Sequence, residues 1–248
     1  QALMVWGMRV GVEFAELFKD RQLSNDCKAA EKKLVKAASK VYKKFLASCP
    51  APDAPGSKQV AALMAITGLI DAPKADKEFL SINGAQGFST FYGYYMLEAM
   101  AAAGNFQGAL DVIREYWGAM IDLGATSFWE DFDINWIPNA APIDELVPEG
   151  KKDIHGDCGA YCYVGFRHSL CHGWASGPTS WLSRHILGVE VLEPGCRQVR
   201  ITPHLGDLQW VKGTFPTPYG EIQIYHERQA NGNVISEVKA PKEVSVIK

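Results

Sequence analysis

The feature that most constrains this chain is a change of hydrophobic period at Gly188. Through the first 124 residues, apolar side chains recur at the three- and four-residue spacing of helices, with no strand-like alternation between them. After Gly188 they alternate with polar residues and are separated by turn residues. A chain with that order folds as helix packed on helix, followed by a small sheet domain. The division reads as a helical part, 1–187, and a β part, 188–248.

Along the helical part, Val5, Met8, Val12, Phe14, Leu17 and Phe18 keep one helix going from Gln1 to about Gln22. Ser24-Asn25-Asp26 offers N-cap residues for a second helix, to about Leu46. Its apolar face is Ala30, Leu34, Ala37, Val41 and Phe45, and its lysines form a solvated face rather than a binding patch. Three prolines between Cys49 and Gly56 predict a loop. Ser57 can cap a third helix to about Ile70. Asp71 to Asn83 is polar and broken by Pro73, with a short helical turn over 77–82. A fourth helix over 89–103 ends at Gly104-Asn105, and a fifth over 106–123 ends at Gly124, a C′ glycine. Hairpins with short links suggest a bundle, a solenoid or a toroid, and the lack of a fixed-period repeat weakens the solenoid. Ile134 to Gly150, with Pro138, Pro142 and Pro148, reads as a long loop; Ser169 to Leu187 returns to helix, interrupted by Gly177-Pro178.

The β part predicts strands at 189–192, 199–201, 208–214, 221–227, 234–238 and 244–247, with Asn231-Gly232 turning a hairpin. It is too small to stand without cover from the helices.

Net charge is -3, against the basic stripe of a nucleic-acid binder. No apolar run reaches the roughly 18 residues of a membrane span. Gln1 opens directly in a helical pattern, which reads as the inside of a longer protein. Six cysteines are too sparse for a disulfide scaffold.

One stretch carries chemistry. Gly124 to Asp133 places Glu130, Asp131 and Asp133 beside Phe128 and Trp129. A carboxylate can activate water or protonate an oxygen, and an indole packs on a pyranose face. The plain alternative is an acidic turn at a helix end. A calcium loop starts at Asp131-x-Asp133-x-Asn135 and fails, with Trp136 in place of the turn glycine and Pro142 where a bidentate Glu belongs. His155, Cys158, Cys162, Cys171 and His172 raise zinc, yet no second short Cys pair closes a site, and buried thiols are the simpler reading. No metal and no cofactor is expected. Ser176 and Ser180 near His172 lack a nucleophile elbow. No phosphate loop or dinucleotide fingerprint is present.

Gly87-Phe88-Ser89-Thr90-Phe91-Tyr92-Gly93-Tyr94-Tyr95, then Trp129-Glu130 in its loop, then Ser169-Leu170-Cys171-His172-Gly173-Trp174, resemble the C-terminal half of the catalytic domain of the α-L-rhamnosidases, glycoside hydrolase family 78. The tail, from Leu192-Glu193-Pro194-Gly195 through Trp210 to Tyr219-Gly220, resembles the β domain that follows it. The resemblance implies part of an (α/α)6 toroid followed by a small antiparallel β-sandwich. It implies inverting hydrolysis of a rhamnose-containing glycan or glycoside, with Glu130 as general base, His172 contacting the sugar, and Trp129 and Trp174 as site walls. Periplasmic or secreted location follows by family analogy. The family's general acid lies in an upstream acidic motif that residues 1–80 do not contain, so a fragment inactive by itself is expected. Two rivals stand beside it: a module that holds a sugar without cleaving it, and another toroid enzyme such as a lyase, for which Tyr92, Tyr94 or Tyr95 would serve with a histidine.

Overall fold

The computed structural model describes residues 1–47, 54, 56–146, 149–150 and 169–247. Most of the proline loop expected after Cys49, and His155, Cys158 and Cys162, lie outside the described residues.

Helices α1 (Ala2–Leu17) and α2 (Arg21–Ala47) form an antiparallel hairpin. The break between them comes earlier than the Ser-Asn-Asp signal predicts. Lys19 adopts a left-handed φ of 58°, and Asp20 N–H donates to the Ala15 carbonyl at 2.8 Å, closing α1. The Asp20 side chain then accepts from Leu23 N at 2.9 Å, so Asp20 is the cap and Ser24 lies inside α2. The buried stripe of α2 follows that register through Ser24, Cys27 and Ala38, while Val41 is exposed.

Helix α3 (Ser57–Ile66) stops before the expected Ile70 because Gly68 turns left-handed and Leu69 N reaches back to the Met64 carbonyl. Pro73 starts a helix rather than breaking one. It sits in the first turn of α4 (Ala72–Ala75), which Asp71 caps through Lys74 N, and a π-helical turn, Asp76–Leu80, continues it. Helix α5 (Tyr92–Ala102) packs against α3. The segment from 106 to 122 is α6 (Phe106–Val112), a π turn (Ile113–Trp117) and α7 (Gly118–Asp122). Gly124, at φ 89°, ends it as a C′ glycine, with Gly124 N on the Ile121 carbonyl and Ala125 N on that of Met120. Gly177-Pro178 likewise opens α8 (Gly177–Trp181), which runs into a last π turn, Leu182–Ile186.

These helices share one core around Leu80, Leu97, Met100, Tyr116, Trp129 and Trp181. Trp181 is fully buried, and its Nε1–H donates to the Leu97 carbonyl at 3.0 Å, which locks α8 beside α5.

Two three-stranded sheets follow. The first has the order β1 (Val189–Val191), β2 (Gln198–Ile201), β6 (Ser245–Ile247), and the second β3 (Trp210–Thr217), β4 (Gly220–Arg228), β5 (Val234–Lys239). All pairings are antiparallel except β2 with β6, which run parallel. Pro216 falls on β3, an edge strand, where its missing N–H costs no interior ladder bond. Ile222, Ile224, Val199 and Val244 fill the space between the sheets, and Val211 packs on this core and on the helical one.

Candidate active site

The site is built where three distant segments meet. The helix ending at Gly124 releases the chain into a loop that carries Phe128, Trp129 and Glu130. Glu130 N–H donates to the Ser169 carbonyl at 2.9 Å, and His172 N–H donates to that of Phe128 at 2.8 Å. This short bridge brings residues 130 and 172 together. From the third segment, the buried Thr90 hydroxyl donates to the Glu130 carbonyl at 2.5 Å.

In that loop the Glu130 side chain is partly exposed while Trp129 is buried. The expected wall residue Trp129 is 0% exposed and packs edge-on to Phe132, 6.0 Å between ring centres. It belongs to the helical core and is closed to solvent, unlike Trp174.

The Glu130 carboxylate is half-buried. Its Oε2 accepts from Ser169 N–H at 2.9 Å and lies 3.9 Å from His172 Nδ1. No described residue donates to Oε1. The His172 ring lies 4.5 Å from the Trp174 indole, which is 54% exposed. Ser169 holds this corner as a turn: its hydroxyl donates to the Cys171 carbonyl at 3.0 Å and accepts from Cys171 N at 3.1 Å. The structure thus brings His172 close to both Glu130 and Trp174, and it buries Trp129.

The other carboxylates of the cluster are used differently. Asp133 accepts from the Asn135 backbone N–H at 2.9 Å and from its side-chain amide at 2.8 Å, capping the 3-10 helix Ile134–Asn139. The Asp-x-Asn pair that suggested calcium is a helix cap. Among the described residues, no group of three or more His, Cys, Asp or Glu side chains is placed to hold a metal. Ser176 and Ser180 donate their hydroxyls to the Gly173 and Gly177 carbonyls and stand against no base.

Sequence reasoning missed Thr90 and Ser169 as the residues that fix Glu130. Both lie inside motifs that carry the resemblance, but their bonds cross about 40 positions, which no local pattern reveals.

Comparison with known proteins agrees with this architecture. Residues 188–247 match the bacterial alpha-L-rhamnosidase C-terminal domain. No curated protein matches the chain by sequence. A rhamnosidase of glycoside hydrolase family 78 from a Bacillus species aligns with 98% of this chain and 25% of its own, at 22% identity and a TM-score of 0.72. An α-L-rhamnosidase from Aspergillus terreus aligns over 99% of this chain and 27% of its own, at 18% identity and 0.74. The Streptomyces avermitilis enzyme, solved with L-rhamnose, aligns over 99% and 22%, at 16% identity and 0.72. The resemblance read from the sequence is borne out: the chain has the fold of the C-terminal part of these proteins, helices plus β domain. It spans about a quarter of their length.

Proposed function

We propose that this chain supplies the water-activating half of an inverting α-L-rhamnosidase site, with the leaving group protonated by a carboxyl group that lies outside these residues. The division at 187/188 into catalytic helices and an accessory β domain belongs to the same reading. The observation that carries it is the Glu130 carboxylate. Ser169 N–H occupies Oε2, which also lies 3.9 Å from His172 Nδ1, and no described residue donates to Oε1 of this partly exposed carboxylate. A carboxylate fixed through one oxygen can accept a proton from water through the other. Inversion requires room for that water, with the two carboxyl groups roughly 6.5–9.5 Å apart. His172 and Trp174 suit a sugar bound over that water, His172 by hydrogen bonding and Trp174 by stacking on an apolar ring face. A rhamnose-containing glycan or glycoside is the substrate this reading assigns, and the solved Streptomyces avermitilis relative holds L-rhamnose.

The lyase reading gains no support from Tyr94. A lyase base needs a tyrosine that ionises readily, whereas burial and the nearby Glu98 push the Tyr94 hydroxyl above its ordinary pKa.

Hydrolysis of an aryl α-L-rhamnoside by the longest form of the protein tests the proposal. Glu130→Gln is expected to lower kcat by about 10²–10⁴-fold, the usual worth of one general acid–base group. Retention of near-normal turnover by that variant removes Glu130 from the base role. The 248-residue chain by itself is expected to bind rhamnose and show no turnover.

A further inference from the structure

Three of the four polar atoms of Glu130 are held, and two residues hold them. Its backbone N–H donates to the Ser169 carbonyl at 2.9 Å, and its Oε2 accepts from Ser169 N–H at 2.9 Å. Both of those bonds come from one loop residue. The third comes from the turn that leads into α5, where the Thr90 hydroxyl donates to the Glu130 carbonyl at 2.5 Å across 40 positions of sequence. Thr90 is 4% exposed, so it offers no surface to a sugar.

The turn that carries Thr90 is fixed in its own right. Gly93 N–H donates to the Ser89 carbonyl at 2.8 Å, so residues 89–93 form a helical turn at the entry to α5. Gly93 presses that turn against the buried Trp117 ring. The residue after Thr90, Phe91, lies 5.1 Å from the Trp174 ring, which stands 4.5 Å from that of His172. Two adjacent residues on one turn therefore reach two different parts of the proposed site. Thr90 reaches the backbone of the base, and Phe91 the indole assigned to stacking. Without the Thr90 hydroxyl, the Glu130 peptide is tied to Ser169 alone. Position matters at such a group, because a displacement of about 1 Å can lower a rate by about 10²-fold. Precision of that order comes from rigid elements and the hydrogen bonds behind the reacting group.

We propose that Thr90 is a positioning residue for the base: its hydroxyl fixes the Glu130 backbone so that Oε1 meets the attacking water, while Thr90 itself touches neither water nor sugar. Phe91, next to it, supports Trp174 instead. The inference rests on the rhamnosidase reading. The two neighbours then separate in kinetics, Thr90 acting on turnover and Phe91 on binding.

Steady-state hydrolysis of an aryl α-L-rhamnoside by the longest form of the protein tests it, with Thr90→Val, Thr90→Ser and Phe91→Leu set beside the parent. Thr90→Val keeps the branched shape and loses the hydroxyl; kcat is expected to fall about 10–100-fold with KM within about twofold. Thr90→Ser keeps the hydroxyl and is expected to hold kcat within about threefold of the parent. Phe91→Leu is expected to raise KM severalfold and leave kcat within about twofold, a split that general loosening of the fold does not produce. Equal kcat in Thr90→Val and Thr90→Ser overturns the positioning role, and so does a rise in KM that matches the fall in kcat. Thr90→Ala replaces Thr90→Val if the valine variant does not fold; if neither folds, the hydroxyl is structural and the proposal is overturned. A fall in kcat for Phe91→Leu equal to that for Thr90→Val overturns the division between the two residues. Absence of turnover in the parent, or near-normal turnover in Glu130→Gln, instead removes the reading on which the proposal rests.

Discussion

Gly93 on α5 stands in close contact with the helical core. A Cβ there would lie 2.7 Å from the Cη2 of Trp117, an indole that is itself buried. Alanine is the better helix former by about 1 kcal/mol, which would favour the substitution on propensity. The buried ring cannot retreat without displacing its neighbours, and overpacking of that kind costs typically about 1–3 kcal/mol. Gly93→Ala is therefore expected to lower stability, read as a reduced urea midpoint at unchanged slope. The need for glycine at 93 was invisible in the sequence, because it arises from Trp117, a residue on another helix. Glu130 and His172 were legible as residue types in recognisable motifs. The burial of Trp129 was not legible, because proximity to Glu130 in sequence says nothing about which of two neighbours the core takes.

At the scale of elements, the loop between the π turn at 76–80 and α5 delivers Thr90 to the site, and a buried lysine secures it. Lys58 Nζ donates to the Gly84 carbonyl at 2.7 Å and lies 5.1 Å from the centre of the Phe88 ring. Glu115 accepts from the neighbouring Ala85 N at 2.9 Å. Burial lowers the Lys58 pKa from 10.5 to about 8, partly offset by the attraction of Glu115. The unfolded chain keeps that proton up to about pH 10.5, whereas the folded protein releases it near 8. Between those values the unfolded state binds more protons, so raising pH favours folding at this residue. The stability difference between the parent and Lys58→Met should shift towards the parent as pH rises through that window, as denaturant titrations at several pH values would show. A flat difference would mean that Lys58 ionises normally. Element existence was readable from helical periodicity. Boundaries moved where a single side chain took the cap, as Asp20 and Asp71 do, because local hydrogen bonds decide ends and hydrophobic pattern does not.

Across the whole molecule, helices and sheets are joined by specific bonds as well as by packing. Arg114 binds both carboxylate oxygens of Asp207, at 3.0 and 2.8 Å, and Phe106 stacks on His204 with ring centres 3.7 Å apart. Inside the seam, His226 is 0% exposed. Its Nε2–H donates to the Leu187 carbonyl at 3.0 Å, and its Nδ1 pairs with the Ser236 hydroxyl at 2.7 Å. Both ring nitrogens are hydrogen-bonded. His226→Ala opens a cavity and strands the Leu187 carbonyl, at an expected cost of about 2–4 kcal/mol. Because the damage sits between the two cores, calorimetry should show the variant unfolding at lower temperature than the parent, with helical and β parts less coupled. The period change at Gly188 announced this boundary, but an alternating pattern cannot show that one strand histidine reaches across it.

The bridge between 128–130 and 169–172 has one more consequence. Its two hydrogen bonds are donated by the amides of Glu130 and His172, the residues assigned to the chemistry. Backbone integrity and competence are therefore the same variable at this place. Parting these two segments would displace both residues of the proposed site together, so local opening there is expected to lower rhamnose binding as a whole rather than one contact at a time.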